Sequence, residues 1–481
     1  MTFYPTRRAI MTSSLAAGSL VLLAPRLCHS ALAATSQSLL VERRNLDVKG
    51  RAASVFGLRQ PNGVAGLVLD PGQRFTVNVA NRIAEDTVLH WHGQTPPNVQ
   101  DGVAETGSPL IKAGAQQDYD FVPRPGTHWM HSHHGLQEQQ LMAAPLIVRT
   151  AEDVRADAQE VVVLLHDFSF RDPAELFKQI TGSDMDKGSG HAGHPMPGMA
   201  MPGSARGNSK PDLNDIDYDA YLANDRTLDD PLVVRTERSG RVRLRLINGA
   251  TSTAFWIDLG PVVATVLAVD GNPVRPLSGS RFPLAQGQRL DLLIVMPTSG
   301  GVVPVLAQRE GDHTRTGVIL ATPDARITRI GERADALAVA IDLSVEQRLV
   351  ASTPLSARPA GVTHKVTLTG AMMPYVWSIN DRTWANHTPL RVTKGQRVVV
   401  EMVNRSPMAH PMHLHGHHFQ VVSLNGRTVS GAMRDTVLVP IAGRVSIAFD
   451  AGNPGKWLFH CHNLLHMATG MMTEFDYGTS V

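Results

Sequence analysis

The chain resembles itself across most of its length. Gly72-Gln73-Arg74 opens an alternation of apolar residues through Phe75, Val77 and Val79 to Asn81, and nine residues later stands His90-Trp91-His92-Gly93. Gly395-Gln396-Arg397 opens the same alternation through Val398 and Val400 to Asn404, and nine residues later stands His413-Leu414-His415-Gly416. The match continues downstream: Pro125-Gly126 precedes His131-Ser132-His133, and Pro454-Gly455 precedes His460-Cys461-His462, the first His falling five residues after Gly both times. Alternation with period two describes a half-buried strand, so the repeating unit is β. A third copy, Ser239-Gly240-Arg241 with Val242, Leu244, Leu246 and Asn248, has Ile257 where the first His would stand. The expectation is an all-β chain of three Greek-key β-sandwich domains near residues 36–150, 151–335 and 336–481. The middle copy keeps the scaffold without the histidines, and reads as a spacer that lets the outer two meet.

A length of 481 residues allows two or three domains. Lys and Arg total 45 against 43 for Asp and Glu, a balance that gives no reason to expect nucleic acid or an anionic membrane surface as partner. Thr6-Arg7-Arg8-Ala9-Ile10, an apolar stretch from Leu15 to Ala24 and the small-residue site Ala31-Leu32-Ala33 read as a cleaved export signal over residues 1–33. The paired arginines favour the twin-arginine export machinery over an ordinary secretory route. Cleavage removes Cys28 and leaves one thiol, Cys461. No later apolar run reaches the roughly 20 residues of a membrane span, and the mature chain is expected to act as a monomer. Residues 181–210 interrupt the β pattern: rich in Gly, Pro, Ser, Met and His, with His191, His194, Met196, Met199 and Met201 closely set, they read as a surface loop.

Alternate side chains of a strand share a face, so each H-x-H pair aims two imidazoles the same way. His460 and His462 then project to one side and Cys461 to the other, which lets one strand serve two metal sites back to back. His410, three residues before His413, has the parity of the Cys461 side. That side collects His410, Cys461, His466 and Met471, the donor set of a blue-copper electron-transfer centre with Met as weak axial ligand; Met472 is the alternative. The opposite side collects His90, His92, His131, His133, His413, His415, His460 and His462, eight imidazoles that suit three coppers able to hold dioxygen. One H-x-H pair alone fits surface chemistry or zinc. Four pairs, two in register with a repeat and one interrupted by the mature Cys, point to copper, four ions in all. His128 and His417 are left out, and His134, His166, His313, His364, His387 and His418 read as surface or structural residues.

These motifs closely resemble those of the three-domain multicopper oxidases, the family of laccases and bacterial cuprous oxidases, over essentially the whole mature chain. The resemblance implies cupredoxin-like domains, with His90 and His413 on the type 2 copper. It places His92, His131, His133, His415, His460 and His462 on the type 3 pair, and His410, Cys461, His466 and Met471 on type 1. It implies that a donor reduces the type 1 copper one electron at a time and that Cys461 passes the electrons on for reduction of dioxygen to water. Asp101 matches a carboxylate that the family keeps near the type 2 copper. Met467 departs from it, because many bacterial members have an acid there. The donor expected is Cu(I), in periplasmic copper tolerance, with a phenolic or other organic reductant as the alternative. Soft thioethers in residues 191–201 and Met408 at the type 1 rim favour Cu(I), whereas Ser406 stands where cuprous oxidases tend to have an acid. A copper-free interaction protein of this fold would lack the histidine clusters.

Overall fold

In the computed structural model, which describes residues 36–182 and 213–478, the alternation of each repeat copy is a strand. Phe75–Asn81 buries Phe75, Val77 and Val79 and leaves Thr76 and Asn78 half-buried. Arg397–Asn404 and Arg241–Asn248 are its counterparts. The asparagine that closes each copy has the same task in all three. Its Oδ1 accepts from the backbone two residues on, at Ile83, Ala250 and Ser406. Its Nδ2 donates to carbonyls across the loop, such as Ile111, Leu284 and Val439. Such an Asx turn stops the strand and fixes the exit of the chain toward the next one. Nine residues later the copies diverge: His90 and His413 stand in the outer two, and Ile257 in the middle one joins the apolar core.

The protein is all-β in cupredoxin style, with sheets in three successive pairs. Residues 37–148 supply two four-stranded sheets, residues 159–321 a six- and a five-stranded sheet, and residues 362–476 a seven- and a five-stranded sheet. One apolar core fills the first pair, and a larger one runs through the second and third. Helices are short, and among the described residues none is long and apolar enough to cross a membrane. The export signal and nearly all of the Met- and His-rich segment lie outside the described residues.

Candidate metal centre

Strand register builds the site. Leu89–His92 runs antiparallel to Gly126–Ser132 with His90 opposite His131. His410–Leu414 runs antiparallel to Lys456–Cys461 with His413 opposite His460 and Met412 opposite Cys461. Directly opposed residues share a face, so the imidazoles gather on one side of these sheets and Cys461 on the other. The rings of the two outer parts interleave: His90 lies 3.8 Å from His415, His92 3.8 Å from His413, and His133 5.3 Å from His460, between centroids. Donor atoms of His90, His413 and His415 fall within 4.8 Å of one another, as do those of His90, His92 and His131 and those of His133, His415 and His460.

Five of the eight rings are held from behind by an Asp or a Glu. Asp101 serves two of them: its carbonyl lies 2.9 Å from His90 Nδ1 and its carboxylate 2.9 Å from His415 Nδ1. Asp435 does the same for the other stacked pair, its carbonyl 2.9 Å from His413 Nδ1 and its carboxylate 3.1 Å from His92 Nε2. Glu138 stands 2.9 Å from His131 Nδ1. The inward nitrogens are left to each other or to nothing: His415 Nε2 is 2.8 Å from His460 Nε2, and His92 Nδ1, His131 Nε2 and both nitrogens of His133 and His462 are buried without a partner. Burial pushes His92, His131, His133, His413, His415 and His462 well below the ordinary histidine range, and His460 to about 3. Neutral imidazoles with lone pairs aimed at a common centre are what metal ions require, and without them each unpartnered buried atom costs about 1–3 kcal/mol.

The Cys461 side is as specific. The thiol sulfur lies 3.6 Å from His410 Nδ1 and 3.6 Å from His466 Nδ1, and the two nitrogens are 3.1 Å apart. One point is therefore about 2.0 Å from all three, the length of a metal–nitrogen bond. Burial pushes the free thiol far up, so a cation is needed to fix the thiolate. Ser406 is buried with its hydroxyl 2.6 Å from His410 Nε2. His466 rides on the short helix Leu464–Ala468, capped by Asn463. Its Nε2 lies 3.3 Å from Asp215, which also accepts from Tyr375 at 2.5 Å and from Asn463 at 2.7 Å. Burial pushes the Asp215 carboxyl up, but His466, Tyr375 and Asn463 outweigh it and hold the carboxyl below its usual range. Trp377 stacks on His466 at 4.1 Å.

Met471 is fully buried in the core that holds Cys461 and is tied by backbone bonds to Cys461 and His466. Met472 faces a separate cluster with Met467, Leu464 and Val103. Met408 is buried, at 4% exposure, with its carbonyl bonded to Asn404 and Ser406. At Met467, where the family often has an acid, the surroundings are apolar. Among the other histidines, His166, His417 and His418 are buried on backbone carbonyls outside both clusters.

Asp435, Glu138 and Asp215 carry no mark in the sequence reading. Asp435 follows His413 by 22 residues whereas Asp101 follows His90 by 11, so aligning the repeats passes over it. Glu138 sits among glutamines and reads as surface, yet it is buried, and burial with the nearby Asp167 drives its carboxyl well above the usual range. Asp215 arrives from the loop that leads into strand Ala220–Ala223.

A trigonal His2Cys site beside a nest of eight imidazoles is a donor set suited to the several coppers of a copper-dependent oxidase. Multicopper oxidase family models match residues 45–153, 160–322 and 357–480. Multicopper oxidase MmcO of Mycobacterium tuberculosis is 33% identical over 417 residues, 84% of this chain and 80% of that protein. A copper resistance protein A homolog of Pseudomonas syringae pv. tomato is 24% identical over 92% of each chain. The laccase of Botrytis aclada shares the fold with a TM-score of 0.71 at 21% identity, over 91% of this chain and 86% of that one. The chain belongs to the multicopper oxidase family. It is an oxygen-reducing copper enzyme that draws on dioxygen and a reductant, with the four-copper arrangement typical of that family.

Proposed function

We propose that this oxidase takes electrons from Cu(I), in copper tolerance in the periplasm, and reduces dioxygen to water. His410, Cys461, His466 and Met471 would hold the type 1 copper, and His90 and His413 the type 2. His92, His131, His133, His415, His460 and His462 would hold the type 3 pair. Copper, when bound, supplies one-electron exchange on the Cys461 side and multi-electron reduction of dioxygen among the histidines. The chain supplies the rest. One peptide unit joins Cys461 to His460 on one side and to His462 on the other, and the Cys461 carbonyl lies 2.9 Å from His460 Nδ1, so the two sites share a path of bonds.

The observation that carries the donor reading is Asp215. A carboxylate held ionised on the outward nitrogen of His466 favours a cation where electrons enter. It belongs to the stretch that follows the segment of His191, His194, Met196, Met199 and Met201, whose thioethers suit Cu(I). Laccase-like oxidation of phenolic or other organic reductants is the second reading. Oxygen uptake with Cu(I) and with a phenol, in the parent, in Asp215→Asn and after removal of residues 185–203, separates the two. Loss of Cu(I) turnover in both variants is expected; a parent that does not turn over Cu(I), or variants that keep it, sinks the cuprous reading.

The domain limits 36–150, 151–335 and 336–481, an N-terminal twin-arginine signal cleaved near Ala33, and a monomeric mature protein complete the proposal. Mass measurement of the exported protein and its sedimentation test these points.

A further inference from the structure

Asp101 and Asp435 clasp their histidine pairs in the same way, but their own surroundings differ. Asp101 Oδ1 has no hydrogen-bond partner. Both oxygens of Asp435 receive the Arg289 guanidinium, Nη1 at 2.7 Å on Oδ1 and Nη2 on Oδ2. Arg289 belongs to the middle sheet pair, on strand Arg289–Val295, and is fully buried. Its Nη1 also donates to the Gly287 carbonyl at 2.9 Å and its Nε to the Thr127 carbonyl at 3.2 Å. Its backbone N–H donates to Asp270 at 2.9 Å, and Asp270 accepts from Arg434 at 3.1 Å, next in sequence to Asp435. Arg434 in turn pairs with Glu346 at 2.8 Å.

The middle pair also reaches the imidazoles by backbone. Gly287 has φ +77°, and a Cβ there would stand 2.8 Å from His462 Cδ2 and 3.1 Å from His92 Cε1. Gln288 Nε2 donates to the Thr436 carbonyl at 3.1 Å. A spacer would need none of these contacts.

We propose that the middle part of the chain, which carries none of the ligand histidines, completes the three-copper centre. Arg289 is a positioning residue that locks Asp435 against His92 and His413, one imidazole from each outer part, and so fixes which nitrogen each presents inward. This rests on the ligand assignment proposed above. A bidentate guanidinium fixes a carboxylate in plane and direction, which a single point charge does not. Partners that orient ligating histidines carry about 10–100-fold in metal affinity. Asp435 is thereby an anchor, whereas Asp101 has no guanidinium on its carboxylate, whose Oδ1 lies 3.4 Å from His90 Nδ1.

The test uses the copper-loaded full chain, titrated with a chelator, in the parent, Arg289→Gln, Asp435→Asn and the double variant. Type 1 copper is followed by its blue absorption and type 2 copper by electron paramagnetic resonance. In each single variant type 2 copper is expected to leave at chelator concentrations about 10–100-fold lower, with the blue absorption unmoved. The double variant, as one unit, should lose no more than the worse single. Unchanged retention, additive losses in the double variant, or type 1 copper lost in parallel would overturn the proposal. A wrong ligand assignment would show earlier, as a parent protein that takes up no copper at the three-ion set.

Discussion

Glu310 is buried away from both copper clusters, and its carboxylate takes one hydrogen bond, from Ile341 N–H at 2.5 Å. Burial outweighs that bond and raises its pKa to about 7, against 4.5 in a free chain. An acid with a raised pKa favours the fold below 4.5 and loses that contribution as the pH climbs through 7, because only the unfolded chain ionises readily. Glu310→Gln should therefore be more stable than the parent at pH 8 by about 1–3 kcal/mol, with little gain at pH 4.5. Urea unfolding at both pH values decides it, and equal differences at the two would refute the assignment. Ser406 offers a second test at the same scale. Ser406→Ala leaves His410 Nε2 buried and unpartnered, so type 1 copper should be held about 10-fold less tightly while type 2 copper stays; a chelator titration that releases both together counts against it.

At the scale of strands and turns, most of the site was legible. An extended strand has only two faces, so the order His-Cys-His was enough to assign His460 and His462 to one cluster and Cys461 to the other. His410 follows from the same parity, since strand His410–Leu414 stays extended through His413. What could not be read is whatever crosses between elements far apart in sequence. Asp215 meets His466, 251 residues on, and Arg289 meets Asp435, 146 residues on. Neither pair leaves a periodic trace, and a lone Asp or Arg looks like any surface charge. The turn glycines do carry a readable constraint. Gly93 has φ +87°, and a Cβ there would stand 2.4 Å from both Arg289 Nη2 and His128 Nδ1. Arg289 cannot swing aside without leaving Asp435, so Gly93→Ala should cost about 2–4 kcal/mol and loosen type 2 copper. Urea titration with metal analysis measures both, and a variant within 0.5 kcal/mol of the parent, roughly the scatter of surface substitutions, contradicts the crowding.

For the whole molecule, the repeat foretold an all-β chain with matching ends, and the sheets come in three pairs. The middle copy, which lacks the ligand histidines and was expected to act as a spacer, brings Gly287 against His462 and His92, Gln288 against Thr436 and Arg289 against Asp435. With so many buried imidazoles facing one another, copper binds the fold more tightly than the unfolded chain, and by mass action it stabilises. Metal-free protein should melt about 5–10 °C lower than the loaded form and recover on adding copper. Identical melting curves would show that the cluster is held by packing alone.

The chain order of the histidines has a last consequence. His90, His92, His131 and His133 come early and His410 onward late, with no proposed ligand in the long stretch between. A ribosome has therefore made half of the cage hundreds of residues before the other half exists. Neither half alone has enough imidazoles for three ions, so a protease nick or a premature stop in that stretch, once the pieces part, yields fragments that cannot begin oxygen chemistry. The imidazole set is therefore complete only in a chain that carries both ends.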